Sequence, residues 1–359
     1  MIKTYQNYII KTFSKIFIYV FLIFLCLTIV LNVFEEVSFF KNTEVGILFP
    51  FYLTLLNTPS VIYETFPFIF FITTQFFFIR LLDREELEIL KKISLSNTKL
   101  ISILTFFSFI ISVLIIIIFY NLSSNLKFFY LEIKNKYSKD NKYLAVVTEN
   151  GLWIRDKIDN KVNIINSDSL DGNILKNVTI NQFSQEYQIH QNIIADEVNI
   201  EKNIWIIKQG KLSENNTSLK ILKDYPFKTN FNSEQIRNLF SDLSSLDFIE
   251  LNKIRKNYEK LGYTMSNINL HIHKLLSYPF YLTIMTLLGS IVMLNIKRNK
   301  SKIFHIILGT LFSVIIYYVS YFSGLLGEND QLPLILSIWL PILIISLFCL
   351  IGLVKINEK

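Results

Sequence analysis

Few residues in this chain could do chemistry, and most of them border apolar runs. His271 and His273 stand two apart near the end of a polar stretch, a spacing that invites a metal. On a helix, side chains two apart point in different directions, and no Asp or Glu at a suitable spacing completes the set. Polar residues at a membrane edge are the simpler reading. Glu64 lies between Pro59 and Pro67. A carboxylate inside a membrane span is costly and usually functional, so Glu64 is either a headgroup-level acid or a proton relay. Its place near one end of an apolar run favours the first. His305 opens another apolar run beside a basic loop and reads as interfacial. The two cysteines, Cys26 and Cys349, both sit in apolar runs and read as small buried hydrophobes. The sequence contains no GxxxxGK[ST] phosphate loop, GxGxxG, HExxH or GxSxG. No catalytic residue, cofactor or metal is expected.

The most informative polar stretch is Asp83-Arg84-Glu85-Glu86-Leu87-Glu88-Ile89-Leu90-Lys91-Lys92-Ile93. Asp83 and Glu86 have the spacing of a capping-box variant. Acids precede bases, which suits the helix dipole, and Glu88 and Lys92 form a favourable i,i+4 pair. Leu87, Leu90 and Ile93 make an apolar ridge. A short amphipathic helix over 83–95 fits either a partner's groove or a lipid surface.

The elements that must position these residues are set by the apolar runs. The 359 residues are 51% hydrophobic, 15% aromatic and 18% charged, against about 25% charged in a soluble domain. That balance excludes a purely water-soluble protein and also excludes disorder. A membrane helix needs about 20 apolar residues. Six runs qualify: Ile16–Phe34, Val61–Ile79, Leu100–Tyr120, Pro279–Ile296, Ile303–Leu325 and Leu334–Val354. The first lacks a small-x-small cleavage site and is kept as a span rather than a signal peptide. Before it, Ile2, Tyr5, Ile9 and Phe13 recur at helical spacing, which predicts an amphipathic helix lying on the membrane surface. Ile47–Leu56, bounded by Pro50 and Pro59, is expected to be a separate short helix near the outer interface; the alternative is one long second span kinked at its prolines.

Lys and Arg alternate along the loops. The N-terminal segment has three, Glu35–Gly46 one, Arg80–Lys99 five, Lys297–Lys302 four, Leu326–Leu332 none and the tail two. The positive-inside rule puts both termini in the cytoplasm and the polar middle on the far side, in the periplasm of a bacterial-type cell. The formal charge of +7 is therefore a topology signal, and the nucleic-acid reading of a basic chain loses its support.

The polar middle, residues 121–274, changes character part-way. Tyr143–Val147, Gly151–Arg155, Val162–Ile165, Asn177–Phe183, Ile193–Ile200, Asn203–Lys208 and Leu219–Leu222 are rich in β-branched or aromatic residues. Turn clusters such as Asp171-Gly172-Asn173 and Glu201-Lys202-Asn203 separate them. Regular short strands of this kind predict an all-β, jelly-roll-like sheet. Ser233 then caps a helix carrying Ile236, Leu239, Phe240 and Leu243, and Phe248–Leu261 reads as a second. The architecture predicted is membrane α-helical: residues 1–120 with three spans, a periplasmic β domain over 121–274, and residues 275–359 with three more.

In the fifth run, Gly309, Ser313, Tyr317, Ser320 and Gly324 fall along one face. Small residues at such spacing let helices approach closely. They could serve intrachain packing or a seam against a second subunit.

This order of elements resembles the LptF/LptG permease family, the membrane subunits of the lipopolysaccharide-export ABC transporter, over essentially the whole chain. The local matches are Glu85-Glu86-Leu87-Glu88-Ile89-Leu90 after span two and Thr58-Pro59 with Pro67 entering that span. Gly151-Leu152-Trp153-Ile154-Arg155-Asp156, Pro279 opening span four and Leu340-Pro341 in span six complete them. The Gly-Leu-Trp stretch looks closer to the LptG branch than to LptF.

The resemblance implies a V-shaped cavity between this chain and a second LptF-like or LptG-like subunit. It also implies an LptB-like ATPase dimer and a single-span LptC-like protein with a periplasmic jelly roll. Lipopolysaccharide would enter between spans one and five of opposite subunits, which points to Ile29 and Asn32 on the first and to Gly309, Ser313, Tyr317 and Ser320 on the fifth. Glu86 would meet a basic groove of the ATPase, with Arg84, Glu85, Leu87 and Leu90 alongside. Family members often carry basic residues at the outer end of span one. Here that region reads Asn32, Glu35 and Glu36 with only Lys41 nearby, so phosphate contact comes from elsewhere or the headgroup differs.

Two other classes compete. A membrane receptor should carry a sizeable cytoplasmic output domain, and the longest such segment here is Arg80–Lys99. An envelope scaffold without transport activity is the second, and it would bring down no ATPase responsive to glycolipid.

Overall fold

A computed structural model describes residues 4–41, 45–46, 48–92, 95–137, 152–158, 161–171, 173–183, 189–214, 218–231, 233, 236, 243–261, 265–295 and 302–357. The chain divides into two compact units, Met1–Lys127 with Ser266–Lys359, and Phe128–Met265.

The first unit is a helical bundle. Its helices are α1 (Thr4–Phe39), α2 (Leu48–Asp83), the short α3 (Glu86–Lys92) and α4 (Asn97–Leu114). A π-helical segment, Ile115–Tyr120, joins α4 to α5 (Asn121–Tyr137). The bundle is completed by α7 (Ser266–Leu294), α8 (Lys302–Glu328) and α9 (Leu334–Asn357). Six helical runs are long and apolar enough to cross a membrane, as expected.

Two expectations change here. The first helix runs unbroken from Thr4, and the apolar face of its first turns does not lie on a lipid surface. Ile9 and Phe13 are fully buried against Phe77, Leu81, Leu87 and Leu90. Likewise Leu48–Asp83 is one continuous helix with Pro59 and Pro67 inside it, which is the alternative reading of Ile47–Leu56. The hairpin of α1 and α2 explains both. Aromatic contacts tie the two antiparallel helices at both ends: Phe40, just past α1, on Phe49 at 5.3 Å, Phe17 on Phe70 at 5.1 Å and Phe13 on Phe77 at 5.8 Å. Such edge-on pairs, each contributing about 0.5–1.5 kcal/mol beyond area burial, reward extending both helices to full length.

Proline inside a membrane helix removes one backbone donor and frees the carbonyl four residues earlier. In lipid that carbonyl needs another donor. Two neighbouring hydroxyls supply it. Pro67 frees the Tyr63 carbonyl, which accepts from the Tyr278 hydroxyl of α7. Pro341 in α9 frees the Ser337 carbonyl, which accepts from Ser323 Oγ of α8 at 2.6 Å. Each of these two prolines is thus answered by a hydroxyl from a partner helix.

The second unit holds six strands: β1 (Leu152–Ile158), β2 (Lys161–Asp171), β3 (Ile174–Phe183), β4 (Ile189–Asn199), β5 (Ile204–Glu214) and β6 (Ser218–Lys228). They form one antiparallel sheet in sequence order. A row of direct cross-strand partners, Ile154, Ile165, Ile180, Ile193 and Leu212, lines its buried face. Trp153, Ile194 and Ile221 project from the other. The sheet curls, because its first strand meets the segment beyond its last. The buried Asp156 carboxylate of β1 accepts from Thr229 Oγ1 at 2.7 Å, Asn230 Nδ2 at 2.8 Å and Asn230 N at 3.1 Å. Trp205, fully buried in the same core, donates Nε1–H to the Phe231 carbonyl at 2.8 Å.

Helix α6 (Phe248–Leu261) follows a 3-10 turn at Leu243–Ser245 and has the predicted bounds. Its start carries a reciprocal cap: Glu250 N donates to Asp247 Oδ1 at 2.7 Å and Asp247 N donates to Glu250 Oε2 at 3.1 Å. The expected strand Tyr143–Val147 and most of the helix after Ser233 lie outside the described residues.

Candidate coupling helix and membrane faces

The stretch after α2 forms a sharp corner rather than one helix over 83–95. Asp83 ends α2, and Glu85 takes a left-handed conformation with φ of 57°. Glu85 then acts as the turn into α3: its carbonyl accepts the amides of Glu88 at 3.1 Å and Ile89 at 3.3 Å. The Asp83–Glu86 capping arrangement does not form, because Asp83 still belongs to the preceding helix. Glu86 instead accepts a hydrogen bond from the Tyr8 hydroxyl of α1 at 2.7 Å, and Arg84 Nη1 lies 3.9 Å from its other oxygen. Charges along α3 run acid first, base last, with Glu86 and Glu88 ahead of Lys91 and Lys92.

The leucine ridge turns inward. Leu87 and Leu90 are buried in the cluster that also holds Ile9, Phe13, Leu95 and Leu100. They anchor α3 to its own bundle and are not free to fill a partner's groove. Ile93 lies outside the described residues. What α3 shows outward is Glu88, Ile89, Lys91 and Lys92, together with Arg84 and Glu85 at its start.

The small-residue stripe of α8 packs within the chain. A Cβ placed on Gly309 would lie 2.3 Å from Gln75 Nε2 and 2.9 Å from a Phe71 ring carbon. Gln75, buried on α2, donates Nε2–H to the carbonyl of His305 at 3.2 Å. Ser313 is fully buried, and Tyr317 rests on Phe68 of α2 with ring centroids 5.3 Å apart. Ser320 is half-buried, and Gly324 faces the Lys274 stem, whose ammonium pairs with Glu328 at 2.9 Å. The opposite face of α8 is bare: Ile307, Leu311, Phe312, Ile315, Tyr318, Val319 and Phe322 are all exposed.

Helix α1 repeats the pattern. Thr28, Asn32 and Glu36 are buried on one side of its second half, while Leu27, Val30, Leu31, Phe34 and Val37 are exposed on the other. Ile29 is half-buried between the two faces. So Asn32 does not face the open side. Leu27, Leu31 and Phe34, not singled out in the sequence, form the exposed side. A signal for them existed: polar residues at 28, 32 and 36 mark the packed side of a membrane helix, because lipid is the poorer solvent for them.

The other candidates resolve simply. His271 Nε2 lies 3.0 Å from the Tyr120 hydroxyl within the bundle. Among the described residues no group of three His, Cys, Asp or Glu is placed to hold a metal. His305 is buried and Glu64 is exposed. Cys349 is buried, Cys26 is exposed, and both are free thiols.

A family model described as lipopolysaccharide export system permease LptF/LptG matches residues 7–355. The chain belongs to the LptF/LptG permease family. No curated protein matches it. The family match and the six apolar helices make this a multi-pass inner-membrane protein, a permease of lipopolysaccharide export. The match does not divide the LptF branch from the LptG branch.

Proposed function

We propose that this permease is one of two membrane subunits that lift lipopolysaccharide out of the inner membrane and pass it to a periplasmic β-bridge toward the outer membrane, driven by a separate ATPase. In this reading both termini face the cytoplasm and residues 121–274 face the periplasm. The second subunit is LptF-like or LptG-like, the ATPase is an LptB-like dimer, and an LptC-like protein receives the lipid. Helix α3 docks the ATPase through Arg84, Glu85 and Glu86, with Leu87 and Leu90 holding it in place from behind.

The observation that carries this reading is the uneven covering of the bundle. The outer half of α1 and the outward face of α8 present continuous apolar surface, as α4 and α9 also do, while α2 and α7 are the more enclosed helices. Two such faces suit a cavity shared with a second subunit, whose walls must accept acyl chains. Exposed methylenes leaving a bilayer cost about 0.8 kcal/mol each, so extraction of a multi-chain lipid needs both an apolar wall and an external energy source. Ile29, at the border of the bare α1 face, is the gate residue in this account. Asn32, Gly309, Ser313, Tyr317 and Ser320 hold the two helices to the bundle.

The test is copurification. The complex should contain an ATPase whose hydrolysis rises on adding lipopolysaccharide. A purified chain that brings down no ATPase, or one indifferent to the lipid, would contradict the reading and leave a scaffold role.

A further inference from the structure

We propose that Tyr8 is a positioning residue for the ATPase contact: its hydroxyl ties one Glu86 carboxylate oxygen to helix α1 and leaves the other directed at the partner. The proposal rests on the assignment of α3 as the docking element.

The geometry is specific. Tyr8 Oη donates to Glu86 Oε2 at 2.7 Å, across 78 residues of sequence. The second oxygen, Oε1, is 3.9 Å from Arg84 Nη1, beyond direct hydrogen-bond length. An ionised carboxylate accepts on both oxygens, so Oε1 retains capacity for a cationic donor. Arg84 is the more exposed of the two, with 60% of its side chain accessible against 19% for Glu86. An incoming partner can therefore displace or join it without dismantling the Tyr8 bond.

Both ends of the Tyr8–Glu86 bond are anchored. Ile9 and Phe13, one and five residues after Tyr8, are fully buried. Leu87 and Leu90, following Glu86, enter the same cluster. The bond thus joins two fixed backbones, and the Glu86 side chain is ordered before any partner arrives. An unrestrained glutamate would lose its rotamer freedom on docking instead. The same bond gives α3 a direct link to α1, the helix whose far half is bare. A load placed on Glu86 would reach α1 without passing through α2.

The experiment uses the full permease pair in lipid nanodiscs with its copurifying ATPase, and measures ATPase affinity for Tyr8→Phe, Glu86→Ala and the double variant. Tyr8→Phe removes only the hydroxyl and keeps the ring. It should weaken ATPase binding about tenfold, the lower end for loss of a hydrogen bond to a charged group. Glu86→Ala should weaken it more, and the double variant should match Glu86→Ala alone. Unchanged binding in Tyr8→Phe alongside a loss in Glu86→Ala would overturn the role of Tyr8 and leave the docking assignment standing. A double variant whose loss is the product of the two single losses would also overturn it, because the residues would then act separately. Unchanged binding in Glu86→Ala would remove the docking assignment itself, and the proposal with it.

Discussion

Helices α2 and α8 pack against each other, and both are apolar enough to cross a membrane, yet their surroundings differ sharply. In the most apolar stretch of α2, 61% of residues are buried within the chain; in α8 the share is 17%. Mean hydropathy is 1.6 for α2 and 2.0 for α8, and the two most enclosed of the six spans, α2 and α7, are the two least apolar. The placing of polar and small residues accounts for the difference. Helix α2 carries buried Thr54, Thr58, Thr73, Thr74 and Gln75, several of whose hydroxyls bond back to the helix. Helix α8 concentrates Gly309 and Ser313 on one face and shows only large apolar and aromatic side chains on the other. Inside lipid, enclosed helices carry the polar groups and exposed helices turn them inward.

The comparison can be broken where the two helices touch. Gly309→Val should have the largest effect. Its branches would meet Phe71 and displace Gln75 from the His305 carbonyl. Overpacking and a lost buried hydrogen bond together should cost about 2–4 kcal/mol in a reversible unfolding assay in detergent. Tyr278→Phe comes next. It leaves the Tyr63 carbonyl, freed by Pro67, without its donor, which should cost about 1–3 kcal/mol in the same assay. A loss no greater for Gly309→Val than for Tyr278→Phe would mean that α8 is not held by that close approach. The smallest effect belongs to Leu311→Ala on the bare face of α8. It should change the stability of the isolated chain by less than about 0.5 kcal/mol, the range of exposed sites. The same variant should lower lipid export by the assembled transporter, since that face is assigned to the cavity. Equal stability losses for Leu311→Ala and Gly309→Val would erase the distinction between the two faces.

Much of this fold is legible in the sequence, because lipid enforces simple rules. Runs of about 20 apolar residues locate the spans, and the Asp171-Gly172-Asn173 cluster marks the β2–β3 hairpin. The length of α2 was harder to read. Pro59 and Pro67 look like breaks, and the donor that replaces the missing bond at Pro67, Tyr278, lies 215 residues from the carbonyl it serves. The closure of the sheet was equally hidden. Asp156 sits in an otherwise ordinary strand, and nothing local announces that Thr229 and Asn230 will bond it. At the candidate site, α3 was visible as a short charged helix, but the direction of Leu87 and Leu90 was not. Their spacing fits either side, and only the packing of Ile9 and Phe13 fixes it. The stripe on α8 faces α2 at Gly309 and Tyr317 and α7 at Gly324.

The most direct measurement is site-specific photo-crosslinking in the assembled transporter, with the probe placed in turn at Leu31 on the bare face of α1, Phe312 on the bare face of α8 and Thr73 in the enclosed face of α2. Lipopolysaccharide adducts at Leu31 and Phe312 that rise or fall with ATP, and none at Thr73, are the predicted result. Adducts at Leu31 and Phe312 made only with bulk phospholipid and indifferent to ATP would contradict the account.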